Sequence, residues 1–138
     1  MRGGRYGQKV YDDGKIYDGQ IWPEINKPHG NGMMTWNNGD QYNGQWSYGK
    51  MNGKGTMLWN TGTSYTGNWR NNKRHGNGSL IYPDGKVVEG KWDRDNPIGK
   101  FIVSWPNADP ILHRTTTIDA AEVEDFGAGD DDSDRDTI

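Results

Sequence analysis

Residues 42–62, YNGQWSYGKMNGKGTMLWNTG, decide the fold, because residues 65–85, YTGNWRNNKRHGNGSLIYPDG, repeat their pattern 23 positions later. Both stretches contain Tyr-x-Gly-x-Trp, then Gly-x-Gly, then an aromatic residue and a turn glycine. A fixed period of this length is typical of an array of small repeats rather than of one folded-back core. The recurring glycines are predicted to be structural: Gly44, Gly53, Gly55, Gly67, Gly76, Gly78 and Gly90.

The pattern extends in both directions from this stretch. An earlier copy starts at Tyr17, and a later copy carries Val88 in the tyrosine position and Phe101 in place of the second glycine. Atypical end units are what an array needs to close its ends. The predicted organisation is a half repeat, three repeats, a degenerate repeat and an acidic tail: 1–16, 17–41, 42–64, 65–87, 88–108 and 109–138.

Within each unit the spacing of related residues is two, which indicates β-strands. Tyr42, Gly44 and Trp46 fall on one face of a strand, and the intervening residues fall on the other. The segments between strands are rich in Gly and Asn, as turns with positive φ require. Each unit is therefore predicted to be a β-hairpin. The chain is predicted to be all-β, an elongated single-layer antiparallel meander that twist bends into a groove. Glycines inside the strands are expected to let tyrosine and tryptophan rings lie against the backbone.

Residues 42–62 and residues 65–85 each resemble one MORN repeat, whose pattern is close to Y-x-G-x-W-x-x-G-x-x-x-G-x-G-x-x-x-(W/Y)-x-x-G. The resemblance spans residues from about 5 to 108. It implies a hairpin solenoid, and it implies roles in anchoring, scaffolding or dimerisation, with membrane or phosphoinositide contact in some members of the family.

The composition favours a binding protein over an enzyme. Only 30% of the chain is hydrophobic, so seven Trp and seven Tyr must supply most of the burial. No catalytic arrangement or cofactor motif stands out, and we expect no cofactor; His29, His75 and His113 do not form a metal set. With no cysteine and no apolar run typical of a signal peptide, the expected location is cytoplasmic, with cytoskeletal or membrane association as an alternative, and not secreted.

Charge is divided between the repeats and the tail. Residues 1–107 hold 14 Lys and Arg against 9 Asp and Glu, whereas residues 108–138 hold 2 against 10. One turn edge is predicted to form a basic rim that binds anionic lipid, although a solvated turn edge explains the same charges. The small basic excess argues against nucleic acid, and the acidic tail invites self-association with the rim. The predicted rim residues are Lys50, Lys54, Arg70, Lys73 and Arg74.

The aromatic residues of the two central repeats are the candidate partner-binding residues. Tyr42, Trp46, Tyr65 and Trp69 either hold the array together or bind a helix or extended segment of a protein partner in the groove. The predicted function is a non-catalytic scaffold that binds a protein along this face. The alternatives are an anionic-phospholipid tether and a constitutive small subunit of a ciliary, cytoskeletal or other large assembly.

The beginning of the tail has the local signals of a short helix. Asp119 is in the N-cap position, Glu122 follows three residues later, and Val123 and Phe126 share one side. A helix near 119–126 is therefore expected to cap the open edge of the last unit. Ser133, with acidic neighbours, is a candidate phosphorylation site.

Overall fold

The computed structural model describes residues 5–106 and 115–125. These residues form one ten-stranded antiparallel sheet in which every strand pairs with its neighbours in the sequence. The prediction of an all-β meander is confirmed. The strands are β1 Arg5–Val10, β2 Ile16–Trp22, β3 Lys27–Thr35, β4 Gln41–Ser47, β5 Lys50–Leu58, β6 Ser64–Arg70, β7 Lys73–Ile81, β8 Val87–Asp93, β9 Asn96–Ser104 and β10 Thr115–Asp119.

A row of glycines crosses eight consecutive strands at the same level of the sheet. Within a hairpin Gly44 pairs with Gly55, and between hairpins Gly55 pairs with Gly67. A Cβ atom on Gly55 would overlap the Tyr42 hydroxyl, and one on Gly78 would overlap that of Tyr65. From Gly19 to Gly78 a tyrosine ring lies directly against the backbone of the row, and at Gly90 the ring of Phe101 does so. The members of the row are Gly7, Gly19, Gly32, Gly44, Gly55, Gly67, Gly78 and Gly90.

Beyond the glycine row, each of the three predicted full repeats contains an irregularity that bends the sheet. The register shifts between Gly44 and Trp46, and on the opposing strand Gly53 takes a φ of 98° that side chains rarely adopt. The Gln45 side chain completes this site, because its Oε1 accepts the Lys54 backbone N–H at 2.7 Å. Gly30 and Gly76 occupy the same place in the neighbouring repeats.

Two kinds of turn join the strands, one on each edge of the sheet. On the first edge, Asn71–Asn72 and Arg94–Asp95 are two-residue turns in which both residues have positive φ, as in type I′ hairpins. These turns stack, because the Asp95 N–H donates to the Arg74 carbonyl at 2.9 Å and the Asn72 N–H donates to the Met51 carbonyl at 3.0 Å. On the second edge, each turn closes on a glycine such as Gly62, with a φ of 93°.

The end of the chain differs from the sequence prediction. Residues Thr115–Asp119 form strand β10, which pairs along β9, and the only helical structure among residues 115–125 is a single 3-10 turn, Ala120–Glu122. The capping contact exists, since Glu122 Oε1 accepts the Asp119 N–H at 3.0 Å, but the chain is extended again at Val123. A strand, rather than the predicted helix, covers the edge of β9, because that edge offers a ladder of unpaired backbone groups. Phe126 and Ser133 lie outside the described residues.

The core is a single layer of rings on one side of the sheet, called here the aromatic face. Tyr17, Tyr42 and Tyr65 are fully buried, and Trp46, Trp69 and Trp92 alternate with them in edge-to-face contacts with centroids 5.1–5.5 Å apart. The opposite side, called the open face, carries exposed polar residues such as Asn43 and Thr56. The alternation of faces predicted from the sequence is therefore observed.

Candidate functional site

Hydrogen bonds that repeat in every unit hold the alternating tyrosine and tryptophan rings of the aromatic face, called here the ring ladder: Tyr17, Trp46, Tyr42, Trp69, Tyr65 and Trp92. Each tyrosine hydroxyl donates to the carbonyl three residues later: Tyr42 to Gln45 at 3.0 Å and Tyr65 to Asn68 at 3.0 Å. Each tryptophan donates to a glycine of the preceding unit, as Trp69 Nε1 does to the Gly55 carbonyl at 3.0 Å. Hydrogen bonds thus join the rings both to their own hairpin and to the one before it.

The last unit keeps the ladder by a compensated exchange. Val88 occupies the tyrosine position, and Phe101, in place of the second glycine, supplies the ring from the neighbouring strand. A Cβ atom on Gly90 would lie 2.7 Å from Phe101 Cδ2, so the phenyl ring covers Gly90 much as Tyr65 covers Gly78. Trp92 contacts Phe101 edge to face with centroids 5.4 Å apart. The unit that looks degenerate in the sequence therefore continues the core.

The four predicted partner-binding residues belong to this ladder. Tyr42 and Tyr65 have no exposed surface, and Trp46 and Trp69 are 5% exposed. Their polar atoms are engaged within the array, with the Trp46 indole bonded to the Gly32 carbonyl. Because the four rings are almost completely buried, a partner on this face would contact other side chains first. In this structure the four rings support the surface from below.

Residues 120–125, called here the C-terminal segment, pack on the aromatic face. Ala120 and Val123 pack against the ring core, as does Ile118 in β10. The Tyr82 hydroxyl donates to the Glu124 carbonyl, and Lys86 Nζ lies 3.5 Å from Glu124 Oε1. The segment therefore lies against the rings as a 3-10 turn followed by extended backbone from Val123, and polar groups at the sides of the face hold it.

Arg74 is the main anchor of this segment. Its Nη1 and Nη2 donate to the two carboxylate oxygens of Asp125, each at 2.9 Å. Its Nε donates to Asp95 Oδ1 at 2.8 Å, and the guanidinium lies 4.3 Å from the Trp92 ring centroid. Planar bidentate pairing of this kind is the strongest that an arginine makes with a carboxylate.

The electrostatics of the site follow from this pairing. Burial alone would lower the pKa of Arg74, but the hydrogen bonds and charges of Asp125 and then Asp95 outweigh it and raise that pKa. Burial first, and then the charges of Asp125 and Glu124, raise the pKa of Tyr82 to about 12. At neutral pH the guanidinium is charged and the Tyr82 hydroxyl keeps the proton that it donates.

Arg74 corrects the predicted basic rim, because its side chain is only 1% exposed and lies on the aromatic face. Lys54 also departs from the rim: it lies within β5, exposed on the open face. Lys50 and Lys73 do sit at equivalent first positions of β5 and β7, and Arg70 ends β6. A shallow cleft near them is lined by Arg70, Asn71, Lys73, His75, Asp93 and Arg94.

Sequence reasoning missed the Arg74–Asp125 pair, although a signal for it was present. Arg74 occupies the repeat position of Met51, which strand alternation places on the apolar face. A single positive charge on an apolar face requires a carboxylate partner. Asp125 belongs to the acidic tail, residues 109–138, where most such carboxylates lie. Among the described residues no three His, Asp or Glu side chains meet as metal ligands would, and no helix has the length and apolar character that crossing a membrane requires.

Comparison with protein families identifies the repeat itself. The model of the MORN repeat matches residues 25–41, 42–64 and 65–87, three consecutive units. No curated protein matches the chain. The resemblance to the MORN repeat is thereby confirmed, and residues 25–87 form a run of three such repeats. MORN repeats are non-enzymatic modules that generally mediate protein or membrane interactions.

Proposed function

We propose that this protein is a non-catalytic scaffold that binds an extended segment of a protein partner on its aromatic face. One observation supports this above the others: the face already holds the extended end of the C-terminal segment, Val123–Asp125, through Arg74 and Tyr82. The surface beneath that segment is fixed by the ring ladder, so little conformational freedom is lost on binding. The expected location remains the cytoplasm.

The surface of the open face offers less to a partner. Its central row, which includes Asn43, Thr56 and Thr66, is polar, and the two threonine hydroxyls bond to each other at 2.9 Å. Its exposed apolar residues form small groups rather than one large patch: Val10 and Ile16 are register partners in β1 and β2, and Ile98 and Ile102 lie together on β9. Single exposed apolar residues are ordinary on protein surfaces, whereas contiguous apolar patches mark binding sites.

A nuclear magnetic resonance titration tests the location of binding. A random-peptide display library panned against the full-length chain would supply ligands, and the best would be titrated into isotope-labelled protein. We expect shifts at Tyr82, Val123 and the Arg74 Nε–H, with the amides of Asn43 and Thr56 unmoved. Shifts confined to the open face or to the turn edges would overturn the proposal.

A second candidate function, tethering to anionic lipid, rests on the cleft beside Lys73. Arg70, His75 and Arg94 line it too, but Asp93 pairs with Arg94 at 3.1 Å and offsets part of the charge. A few basic residues at about 1 kcal/mol each bind a membrane weakly without a second signal. Flotation of the full chain with phosphoinositide vesicles at physiological salt, lost on Lys50→Glu plus Lys73→Glu, would make this the primary function.

A further inference from the structure

The position of Arg74 does not need a charge in this fold. The equivalent residues of the two preceding repeats are Met51 and Pro28, both buried. Their backbone carbonyls accept hydrogen bonds from the neighbouring turn just as the Arg74 carbonyl does. The hairpin architecture is thus satisfied by an apolar side chain, and the guanidinium adds something that the other repeats lack.

What the guanidinium adds is a buried binding site for one further carboxylate. Asp95, from the adjoining turn, binds Arg74 through Nε and through its carbonyl, which accepts Nη2–H at 3.0 Å. The outer edge of the guanidinium is left for Asp125, whose side chain is 27% exposed. Asp95 thus belongs to the turn next to Arg74, whereas Asp125 reaches the guanidinium from a segment outside the repeats.

Two further contacts define what lies before that carboxylate. The Tyr82 hydroxyl binds the carbonyl one residue earlier, which fixes an extended backbone without reading a side chain. Val123, two residues before Asp125, packs on the ring core, while the Glu124 side chain is 57% exposed. The site therefore contacts three successive residues in different ways: the apolar side chain of Val123, the backbone carbonyl of Glu124 and the carboxylate of Asp125.

We propose that Arg74, Asp95 and Tyr82 form a carboxylate-recognition site for an acidic extended segment of a protein partner, which binds in place of Val123–Asp125. The recognised segment has an aliphatic residue two positions before an Asp or Glu. This inference rests on the proposed function and adds the chemistry of the partner. The C-terminal segment acts as a built-in competitor, because a short tether holds it near the site at a high effective concentration.

Occupancy by the C-terminal segment has a measurable consequence. A partner binds only the fraction of molecules in which the site is empty, so its apparent dissociation constant is raised by the inverse of that fraction. Weakening the contact of Asp125 should therefore strengthen binding from outside, whereas removing Arg74 should abolish it. A merely structural pairing would respond in neither way.

The test uses the full-length chain and a labelled synthetic peptide, DAAEVED, which copies residues 119–125 with an amidated end. Fluorescence anisotropy would compare the wild type with Asp125→Asn and Arg74→Met, the latter installing the residue found at position 51. We expect Asp125→Asn to bind the peptide at least about tenfold more tightly than the wild type. We expect no detectable binding to Arg74→Met, and weak binding of a scrambled peptide with the same composition.

Two outcomes would overturn the inference: equal binding by Asp125→Asn and Arg74→Met, or no gain over the wild type in a folded Asp125→Asn protein. Should Asp125→Asn fail to fold, Val123→Ser weakens the segment without touching the ion pair and carries the same expectation. Display-selected ligands that bind the aromatic face but bind Arg74→Met as tightly as wild type would uphold the proposed function and reject the inference. Ligands that map to the open face would reject the function instead.

Discussion

The smallest unit of this structure is a tyrosine ring resting on two glycines. Tyr65 is fully buried, and its hydroxyl lies where a side chain on Gly78 would start. Glycine normally weakens a strand, so each pair is retained for the ring that it admits. In the last unit Val88 replaces the tyrosine and Phe101 replaces the second glycine, and the Phe101 ring covers Gly90. A ring is therefore kept at this place although a different strand supplies it.

Two glycines of the same row should respond differently to substitution by alanine. Gly78→Ala should destabilise the protein by about 1–3 kcal/mol or more, because the Tyr65 ring must leave its place. Gly7→Ala is the matched control, since its nearest neighbour would be Ile21 Cδ1 at an ordinary 3.7 Å. Denaturant melts of both variants would measure the free energy of unfolding. Equal losses would show that glycine is kept for its backbone rather than for the ring.

At the scale of the elements, strands and turns were largely predictable from the sequence, and the chain end was not. Alternation and turn glycines indicate the repeated hairpins directly. The helix expected from Asp119 and Glu122 rested on a local capping signal. That signal produced only one 3-10 turn, because the chain extends from Val123 onward, where Val123 packs on the ring core and the next two residues bind Tyr82 and Arg74. Three consecutive threonines favour a strand, which was the overlooked cue.

The stacked turns contain one residue that is poorly suited to its conformation. Arg94 has a φ of 48°, which asparagine or glycine adopts at lower cost, and its ion pair with Asp93 is exposed. Arg94→Asn should therefore raise the free energy of unfolding by up to about 1 kcal/mol. Arg70→Asn, which removes a charge from the same edge outside a turn, is the control. A loss of stability in Arg94→Asn alone would show that the surface pair outweighs the strain.

At the scale of the whole molecule, the sequence predicted a sheet with one aromatic face but not what covers it. Arg74 was assigned to a solvent-exposed rim because its neighbours in the sequence are turn residues. Its true surroundings depend on long-range contacts, in which Arg74 near the start of β7 and Tyr82 just after its end bind a segment from beyond β10. Contacts between positions 74 and 125 follow no repeat period, so periodicity carries no information about them.

The buried tyrosines make the whole array sensitive to alkaline pH. Burial first, and then the Asp13 charge, raise the pKa of Tyr11 to about 12, and the pKa of Tyr82 is also about 12. Burial raises the pKa values further still in three ladder tyrosines: Tyr17, Tyr42 and Tyr65. The unfolded chain releases these protons near pH 10. Their contribution to stability is therefore complete below about pH 10 and lost as the pH rises through 12.

Denaturant midpoints measured from pH 8 to 12 would check this, with the steepest fall expected above pH 10. Tyr82→Phe removes one of these groups and should give a shallower curve. A midpoint that stays constant from pH 8 to 12 would contradict the assignment of these tyrosines to the core.

The return of the C-terminal segment to Arg74 also determines how the array carries tension. In a meander pulled at its two ends, the force runs along the inter-strand hydrogen bonds, so hairpins peel away one after another. A force that enters the array at Asp125 passes through the Arg74 guanidinium to β7. It does so before it acts on the hydrogen bonds that pair β10 with β9. While that ion pair holds, β8, β9 and β10 are bypassed by the force. Its release adds slack to the chain without unfolding a hairpin, so the segment acts as a small extensible link in series with a stiffer array.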